Sequence, residues 1–313
     1  MSRIKQINLE NFAEILNVIE DYQQFLQERG NSIPSFKDQL KELLSQQARI
    51  VFALYQEDQA IGFTIINPSE REIRLFYIQN SIKEENTPEY HFQERELFDT
   101  AFTYLQNIAT HIRLGAQLST NLKTYAIKRG FQEFKRARMF IEKESIELLP
   151  EPNIEPEFKF YTWNSKYINI VAELMGTHHY NDMHPDSALF PQSKGFNGAK
   201  TTIEHIQTVK DGKFKNENIG VLTHNNEIIG TCFVVIFPEY GIIPEVILSP
   251  KYRGKGLGKA LVAHTLKRLI EKEPHLSKVE LNVTLLNIPA FNLYKSLGFQ
   301  ESYQYSVFIW NKT

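Results

Sequence analysis

The chain has 313 residues, 42% of them apolar and 23% charged, with a formal net charge of −2. This composition is typical of a globular protein of about two domains, and it excludes a strongly basic nucleic-acid-binding chain. The longest apolar runs are too short to span a bilayer and the N-terminus is too polar for a signal peptide, so we expect a cytoplasmic protein without membrane partners.

In the first half, apolar periodicity predicts alternating strands and helices. In chain order these are a strand near 3–8, helices at 10–28 and 35–46, a hairpin near 49–66, a strand at 72–79, a helix at 92–113, a short helix and a final strand.

The stretch ELLPEPNIEPEF at 147–158 contains three prolines and four glutamates. Proline disfavours both helix and central strand, and the glutamates favour solvent. We therefore predict a linker at 147–157 between one domain at 1–146 and a second at 158–313.

The second half predicts a similar order of elements. They are a strand from 158, a helix at 165–180, a hairpin at 219–237, an apolar strand at 241–250, a helix at 256–272 ended by Pro274, a strand at 278–286, a short helix and a final strand. Cys232, the only cysteine, lies in the apolar end of the hairpin and is expected to be a buried structural thiol. Each half is thus a mixed α+β domain with a twisted sheet flanked by helices.

The two halves end alike. The tetrapeptide Gly-Phe-Gln-Glu occurs at 130–133 and again at 298–301, each time between a short helix and a final strand. Its equal placement in both halves favours a duplication.

The stretch SPKYRGKGLGKAL at 249–261 contains three glycines, three lysines and an arginine at the start of a predicted helix. Amides at a helix start lack internal partners, and glycine allows the backbone to approach a phosphate closely. A Walker A loop would need glycine at Arg253 and Ser or Thr at Ala260, and a dinucleotide fingerprint would need glycine at Lys259. Neither nucleotide motif fits, which leaves the pattern Arg253-x-x-Gly256-x-Gly258.

This pattern resembles the acetyl-CoA pyrophosphate loop of the GNAT acetyltransferases. Their second signature, Asn-x-x-Ala-x-x-x-Tyr-x-x-x-Gly-Phe, is matched at Asn287, Ala290, Tyr294, Gly298 and Phe299. The resemblance is clear over 219–310 and plausible back to 158, whereas in the first half it rests on element order and the Gly-Phe ending. It implies two tandem acyl-CoA N-acyltransferase (GNAT) domains.

The resemblance implies acetyl-CoA as co-substrate and a set of residues that hold it. Backbone groups near the end of the apolar strand would bond the pantetheine, and the glycine loop with its cations would bond the pyrophosphate. These residues are Val246, Ile247, Leu248, Arg253, Gly254, Lys255, Gly256, Leu257, Gly258 and Lys259, joined by Asn287, Ala290 and Tyr294 from the second motif.

Two catalytic roles follow. Tyr294 would protonate the leaving sulfur, since a phenol with a pKa near ~10 carries its proton at neutral pH. Glu245, the only acid in its apolar strand, is the leading candidate for the base that deprotonates the amine, with burial raising its pKa. A bound water as base, and a role of Glu245 in acceptor recognition or a salt bridge, stay open. A helix-cap role for Asn287 is compatible with cofactor binding.

A polar cluster at 178–186 includes His178, His179, Tyr180 and His184. Its place after the first helix of the second half suggests an acceptor-binding loop, with a surface loop as the alternative. The spacing lacks the helical i,i+4 pair and the cysteines of common zinc sites, so no metal is expected.

The first half has no second glycine loop. No glycine occurs from Phe63 through Leu114, five glutamates lie between 84 and 96, and Ala126 stands where the second half has Tyr294. Carboxylates repel a pyrophosphate, so we expect a degenerate copy that shapes the site without binding cofactor.

The sequence therefore predicts an N-acetyltransferase that transfers acetyl from acetyl-CoA to a primary amine by direct attack in a ternary complex. The acceptor would be a small molecule or a peptide, with no nucleic acid, and the protein a monomer or homodimer. An acyl-CoA sensor without turnover, or transfer of a different acyl group, remains the alternative.

Overall fold

The structure, a computed structural model, describes residues 2–28, 33, 35–79, 87–115, 118–179 and 186–312, without the side chains of 178 and 179. The chain divides into two compact units. Unit 1 consists of Met1–Glu133 with Ser306–Thr313, and unit 2 of Phe134–Tyr305.

Unit 1 alternates strands and helices largely as predicted. Its elements are β1 (Ser2–Ile7), α1 (Leu16–Glu28), α2 (Phe36–Ser45), β2 (Ile50–Gln56), β3 (Gln59–Asn67), β4 (Glu72–Ile78), α3 (Pro88–Gln106), β5 (His111–Leu114) and α4 (Thr120–Lys128). The helix predicted at 92–113 is wrong at its C-terminal end, because the segment from His111 forms a strand. There Ile112 and Leu114 are fully buried while their neighbours are not, which is the alternation of a half-buried strand.

The sheet of unit 1 has the order β1-β2-β3-β4-β5-β14, where β14 spans Gln300–Asn311. Its hairpins pair antiparallel, β4 pairs parallel with β5, and residues 308–311 of β14 pair antiparallel with β5. Phe308 is buried in the same apolar cluster as Phe102 and Leu114. The C-terminal strand of the chain thus completes the core of unit 1.

Unit 2 is also mixed α+β. Its elements are β6 (Gln132–Glu142), α5 (Lys143–Glu147), β7 (Phe158–Thr162), α6 (Ile168–Glu173), a π-helical turn (Leu174–His179), α7 (Gly195–Gln207), β8 (Gly220–His224), β9 (Glu227–Cys232), β10 (Val235–Ile236), β11 (Tyr240–Ile243), β12 (Val246–Leu248), α8 (Leu257–Lys272), β13 (Lys278–Thr284), α9 (Ile288–Ser296) and β14. The segment that follows the π-helical turn is helical again from Gly195.

The strands of unit 2 form two sheets, β6-β13-β11-β10 and β12-β9-β8-β7. Helix α8 packs on the second sheet through a stripe of buried leucines that includes Leu261 and Leu269. The approach is close, because a Cβ built on Gly220 of β8 would lie 2.1 Å from the Thr265 hydroxyl.

The last strand of each sequence half completes the unit formed mainly by the other half. Residues 134–142 of β6 belong to unit 2, where β6 pairs antiparallel with β13, and residues 306–311 of β14 belong to unit 1. The units therefore divide the chain differently from the predicted domains 1–146 and 158–313. That boundary at 147–157 stays a prediction about the sequence repeat.

The repeated tetrapeptide forms the same turn in both places. Gly130 has φ 92° and Gly298 has φ 94°, a region that favours glycine. In each turn the following phenylalanine N–H donates over 3.1 Å to the carbonyl five residues back, that of Ala126 or of Tyr294. The local structure thus repeats along with the sequence.

Candidate active site

A split between the two sheets of unit 2 defines the candidate site. The parallel pairing of β11 with β13 ends at Ile243 opposite Leu281, and the antiparallel pairing of β12 with β9 begins at Val246 opposite Cys232. Two residues separate these pairings, the second of them Glu245. The two strands therefore part and leave a gap.

The single strand predicted at 241–250 is wrong in this respect. It consists of two short strands, β11 and β12, which belong to different sheets. Pro244 stands between them and supplies no N–H for a continuous ladder.

One edge of β12 faces the gap. The Ser249 N–H donates to the Ile229 carbonyl of β9 over 2.8 Å, and the Glu245 carbonyl accepts over 3.0 Å from the N–H of Phe233, the residue that follows β9. Because backbone groups alternate in direction along a strand, those of Val246 and Leu248 turn away from β9. No strand of the described residues pairs with this second edge. An extended amide chain could add there as a strand does.

The loop after β12 is shaped by two glycines. Gly254 has φ 74° and Gly256 has φ 77°, conformations that side-chain-bearing residues rarely adopt. A Cβ built on either glycine would have no atom within 4 Å. Backbone conformation rather than crowding thus requires glycine here, and the space over the loop is open.

The start of α8 offers unpaired backbone donors. No side chain caps this helix, and its first internal bond runs from the Ala260 N–H to the Gly256 carbonyl over 3.0 Å. The N–H groups of Leu257, Gly258 and Lys259 precede that bond, so they have no partner within the helix. The first turn carries no acidic residue. Together these features suit a bound anion.

The cations of the loop are held in place. Arg253 Nε donates to the Leu248 carbonyl over 3.1 Å and ties the loop to the end of β12. Lys255 Nζ lies 5.7 Å from the centre of the Tyr252 ring, a cation–π distance. Lys259 Nζ donates to the Ser296 carbonyl over 3.0 Å at the end of α9. Their charge remains next to the helix start.

Tyr294 is the predicted acid and lies on α9 with 9% of its surface exposed. Its ring contacts that of Phe299 edge-on, with centroids 5.6 Å apart. Burial, and then the negative fields of Cys232, Glu245 and Asp186, raise the pKa of Tyr294 above its ordinary value. The phenol therefore keeps its proton at neutral pH, as a proton donor must.

Cys232 is buried, as predicted for a structural thiol. Burial, with a smaller contribution from Glu245, raises the pKa of this thiol to about 12, although a hydrogen bond with Thr265 opposes the shift. The thiol is thus neutral and poorly nucleophilic at physiological pH.

The other predicted residues occupy positions compatible with their roles. Glu245 is half-buried at the split, and its field reaches both Tyr294 and Cys232. Asn287 caps α9, its Oδ1 accepting from the Ala290 N–H over 3.4 Å. The cap is one of the two roles expected for Asn287. The base role of Glu245 and the cofactor roles of Asn287 and Ala290 stay predictions.

The predicted acceptor residues lie largely outside the described part of the chain. Tyr180 and His184 are outside it, and His178 and His179 are described only as backbone at the end of the π-helical turn.

Within the described residues, no three His, Cys, Asp or Glu side chains are grouped as metal ligands would be. No helix in this part of the chain is long and apolar enough to cross a membrane.

Sequence reasoning missed Arg136 of β6. It is 8% exposed and belongs to unit 2 although it comes from the first sequence half. The alternation of Arg136 and Arg138 with the buried Ala137, Met139 and Ile141 is a strand signal that could have marked the arginines as one face. Only the pairing with β13 shows which unit that face joins.

The comparable helix start in unit 1 is built differently. Helix α3 begins with Pro88, which has no N–H, and one of its first amides is capped, because the Thr87 hydroxyl accepts from the Tyr90 N–H over 3.2 Å. Glu89 adds a carboxylate to the first turn. Of the acidic segment predicted to replace the glycine loop, residues 80–86 lie outside the described residues.

Part of unit 2 is similar in sequence to known acetyltransferases. Residues 190–299 match the sequence model of the Acetyltransferase (GNAT) family. A Bacillus subtilis (strain 168) protein, named provisionally as a ribosomal protein bS18-alanine N-acetyltransferase, is 30% identical over 80 residues. These are 26% of this chain and 52% of that protein, so the chain spans about half the length of the curated relative that it matches.

Two solved structures share the fold over nearly the whole chain. A tandem GNAT protein from the clavulanic acid biosynthesis pathway, without acetyl-CoA, has a TM-score of 0.60 at 12% identity and matches 100% of this chain and 99% of its own. A GCN5-related N-acetyltransferase from Sphaerobacter thermophilus has a TM-score of 0.62 at 13% identity, with 99% and 96% covered. The predicted α+β fold of tandem GNAT type is confirmed.

Proposed function

We propose that the protein is an acetyl-CoA-dependent N-acetyltransferase, because residues 190–299 match the sequence model of the Acetyltransferase (GNAT) family. The catalytic site lies in unit 2, and the acceptor is a primary amine of a small molecule or a peptide. The observation that carries the proposal is the gap-facing edge of β12, which leads directly into the open glycine loop and the uncapped start of α8.

The residues present fit acetyl-CoA. The outward backbone groups of Val246 and Leu248 suit the amides of a pantetheine chain. The amides that open α8, with the open space over Gly254 and Gly256, suit a pyrophosphate. Arg253, Lys255 and Lys259 add positive charge around it. When bound, acetyl-CoA supplies the acetyl thioester; the chain supplies the groups that orient it and move protons.

Two side chains carry the proton transfers. Glu245 at the split takes a proton from the acceptor ammonium, directly or through a water, so that the amine nitrogen can form its bond to the acetyl carbonyl carbon. The carbon–sulfur bond then breaks, and the Tyr294 phenol gives its proton to the departing sulfur. The second proton of the acceptor nitrogen passes to the Tyr294 phenolate, directly or through a water, and restores the phenol. Because the pKa of Tyr294 is raised, the phenol is protonated when the reaction starts.

Unit 1 takes no cofactor in this proposal. The start of α3 is capped by Thr87 and flanked by Glu89, and Ala126 stands where unit 2 has Tyr294. The sequence repeat then corresponds to a degenerate domain at 1–146, a linker at 147–157 and a catalytic domain at 158–313. The reduced, buried Cys232 fits a cytoplasmic enzyme.

Calorimetric titration with acetyl-CoA tests the proposal. One site per chain is expected, together with release of CoA when a suitable amine is added. Zero or two sites would contradict it. Tight binding with no turnover across a broad amine screen would instead favour an acyl-CoA sensor, and turnover with a longer acyl-CoA alone would reassign the acyl group.

A further inference from the structure

Among the described residues, Arg136 is a buried cation without a charged partner. Its Nη2 donates to the Asn282 carbonyl over 3.3 Å, and its guanidinium carbon lies 5.3 Å from the centre of the Phe190 ring. Its Nε is buried without a hydrogen-bond partner, and no carboxylate of the described residues forms an ion pair with it. By contrast Arg138, two residues along β6, pairs with Glu280.

Such an arginine destabilises the protein on its own. A buried charge is costly unless hydrogen bonds and an opposite charge compensate it. Cation–π stacking on Phe190 and one neutral carbonyl replace only part of the lost hydration. A buried, incompletely satisfied guanidinium therefore points to an anion that binds there.

A second unsatisfied group lies beside Arg136. Thr284 is fully buried, and its Oγ1 has no hydrogen-bond partner. Arg136 and Thr284 are opposite each other in the β6–β13 pairing. The Leu285 N–H donates to the Lys135 carbonyl over 2.9 Å, which marks the adjacent pair as hydrogen-bonded. Arg136 and Thr284 are thus a non-hydrogen-bonded pair, in which side chains of one face come closest.

This pair lies next to the split between the sheets. The pairing of β13 with β11 ends at Leu281, so Asn282, which Arg136 contacts, is the first residue of β13 beyond β11. The guanidinium therefore lies where β11 leaves β13, the point from which the backbone continues to Glu245.

One short turn connects this place with the proposed acid. The Phe190 N–H donates to the Asp186 carbonyl over 3.1 Å, so both residues belong to a single turn. Phe190 stacks on Arg136, while the field of Asp186 acts on Tyr294. The turn thus spans from the arginine to the site of proton transfer.

We propose that the amine acceptor carries a carboxylate, and that Arg136 and Thr284 bind this carboxylate at the split. A guanidinium presents the planar pair of donors that a carboxylate accepts, and the threonine hydroxyl supplies a further donor. The site favours a monoanion, since one cation balances one charge, and the fields of Asp186 and Glu245 both act on Tyr294. Those two carboxylates suit the ammonium end of the same molecule. The acceptor class is therefore an amino acid or an amino-acid-like zwitterion.

This inference rests on the proposed acetyl transfer, and it gives the first half of the sequence a part in the site. Arg136 comes from the last strand of that half and lies in unit 2 beside β13. Arg136 acts here as a specificity-determining residue that contacts substrate, whereas proton transfer remains with Tyr294 and Glu245.

A turnover experiment measures CoA release with a series of ω-amino acids of increasing chain length as acceptors. Each amino acid is compared with its carboxamide, which has the same length but no carboxylate. The wild-type protein is expected to prefer the acid of the best pair by roughly tenfold or more in kcat/KM. Arg136→Gln should remove that preference, Arg136→Lys should restore part of it, and Arg138→Gln should retain it. A preference for the amides, or an acid preference that survives in Arg136→Gln, would overturn the inference.

A binding experiment separates this inference from the proposed function. Butyrate at constant ionic strength should raise the thermal midpoint of the wild-type protein and of Arg138→Gln, but not that of Arg136→Gln. Arg136→Gln without butyrate should unfold at or above the wild-type midpoint, because it removes an unpaired buried charge. If the butyrate effect occurs in a protein that never releases CoA, the carboxylate site stands and the proposed function fails. If butyrate stabilises the wild-type protein and Arg136→Gln equally, the carboxylate does not bind at Arg136, whether or not the protein releases CoA.

Discussion

Helices α8 and α3 follow corresponding strands in the two halves of the sequence, yet they begin in opposite ways. At α8 a glycine with φ 77° precedes the helix, no side chain caps it and its first turn has no acid. At α3 the Thr87 hydroxyl accepts from a backbone amide, Pro88 removes another donor and Glu89 repels anions. A few residues can thus leave the backbone amides at a helix start open or cover them, while the scaffold is kept.

The turn near the end of each sequence half also keeps its backbone structure while a side chain differs. Gly130 and Gly298 share a positive φ, and the phenylalanine after each glycine donates its N–H to the carbonyl five residues before that phenylalanine. That earlier residue is Ala126 in the first half and Tyr294 in the second. The backbone geometry persists where the phenol does not, so the fold keeps this position without requiring a tyrosine there.

The largest effect is expected at Tyr294. Tyr294→Phe should lower kcat by roughly 10²-fold, the scale of general acid catalysis, with little change in acetyl-CoA affinity. In the wild type, kcat should not fall as pH passes about 10, because the raised pKa keeps the phenol protonated there. Steady-state kinetics against pH measures both.

The control lies in unit 1. Tyr125 donates to Asp99 over 2.7 Å, so Tyr125→Phe should lose about 1 kcal/mol of stability and no activity. Equal rates for wild type and Tyr294→Phe would assign the acid elsewhere.

A substitution at Gly256 should have the next largest effect, on acetyl-CoA affinity. Gly256→Ala forces a Cβ into a left-handed conformation, which destabilises by roughly 1–2 kcal/mol and moves the loop amides. We expect acetyl-CoA to bind about tenfold or more weakly in calorimetry. Gly130→Ala carries a similar strain in unit 1 and should leave affinity unchanged. If the two variants bind equally well, the α8 start is not the phosphate site.

Removing the cap of α3 should affect stability alone. Thr87→Ala deletes the acceptor for the Tyr90 N–H and should lower the free energy of unfolding by about 1 kcal/mol in urea titration. Thr124→Ala is the matched control, because its hydroxyl only donates to a carbonyl one turn earlier within α4. A gain of acetyl-CoA binding in Thr87→Ala would show that the cap, rather than the lack of a glycine loop, closes this site.

The smallest effect concerns Cys232, whose reactivity reports on unit 2 alone. The thiol should resist iodoacetamide at pH 8 in the native protein and react after unfolding. Because its folded pKa of about 12 lies above the ordinary value, the neutral thiol contributes stability below pH ~9 that is lost as pH rises toward about 12. Unfolding stability should therefore fall more steeply over this range in wild type than in Cys232→Ala. Rapid alkylation of native protein would show that β9 opens.

The sequence by itself determined the features that depend on neighbouring residues. The positive φ angles of Gly254 and Gly256, the apolar stripe of α8 and the cap at Asn287 are local requirements, and each can be read from the residue types and their spacing. The same is true of the repeated turn at Gly130 and Gly298. The two motifs that resemble GNAT signatures are also local patterns, which is why the resemblance could be read from the sequence.

Only the tertiary structure decided which strands lie side by side. Every strand offers the same backbone hydrogen-bonding groups, so the local sequence does not specify the partner of a strand. It therefore does not predict that β11 and β12 join different sheets. Nor does it predict that β6 pairs with β13, or β14 with β5. Those choices come from packing between residues far apart in the chain. They bury Arg136 beside Thr284 at the split, and so decide what the candidate site could recognise.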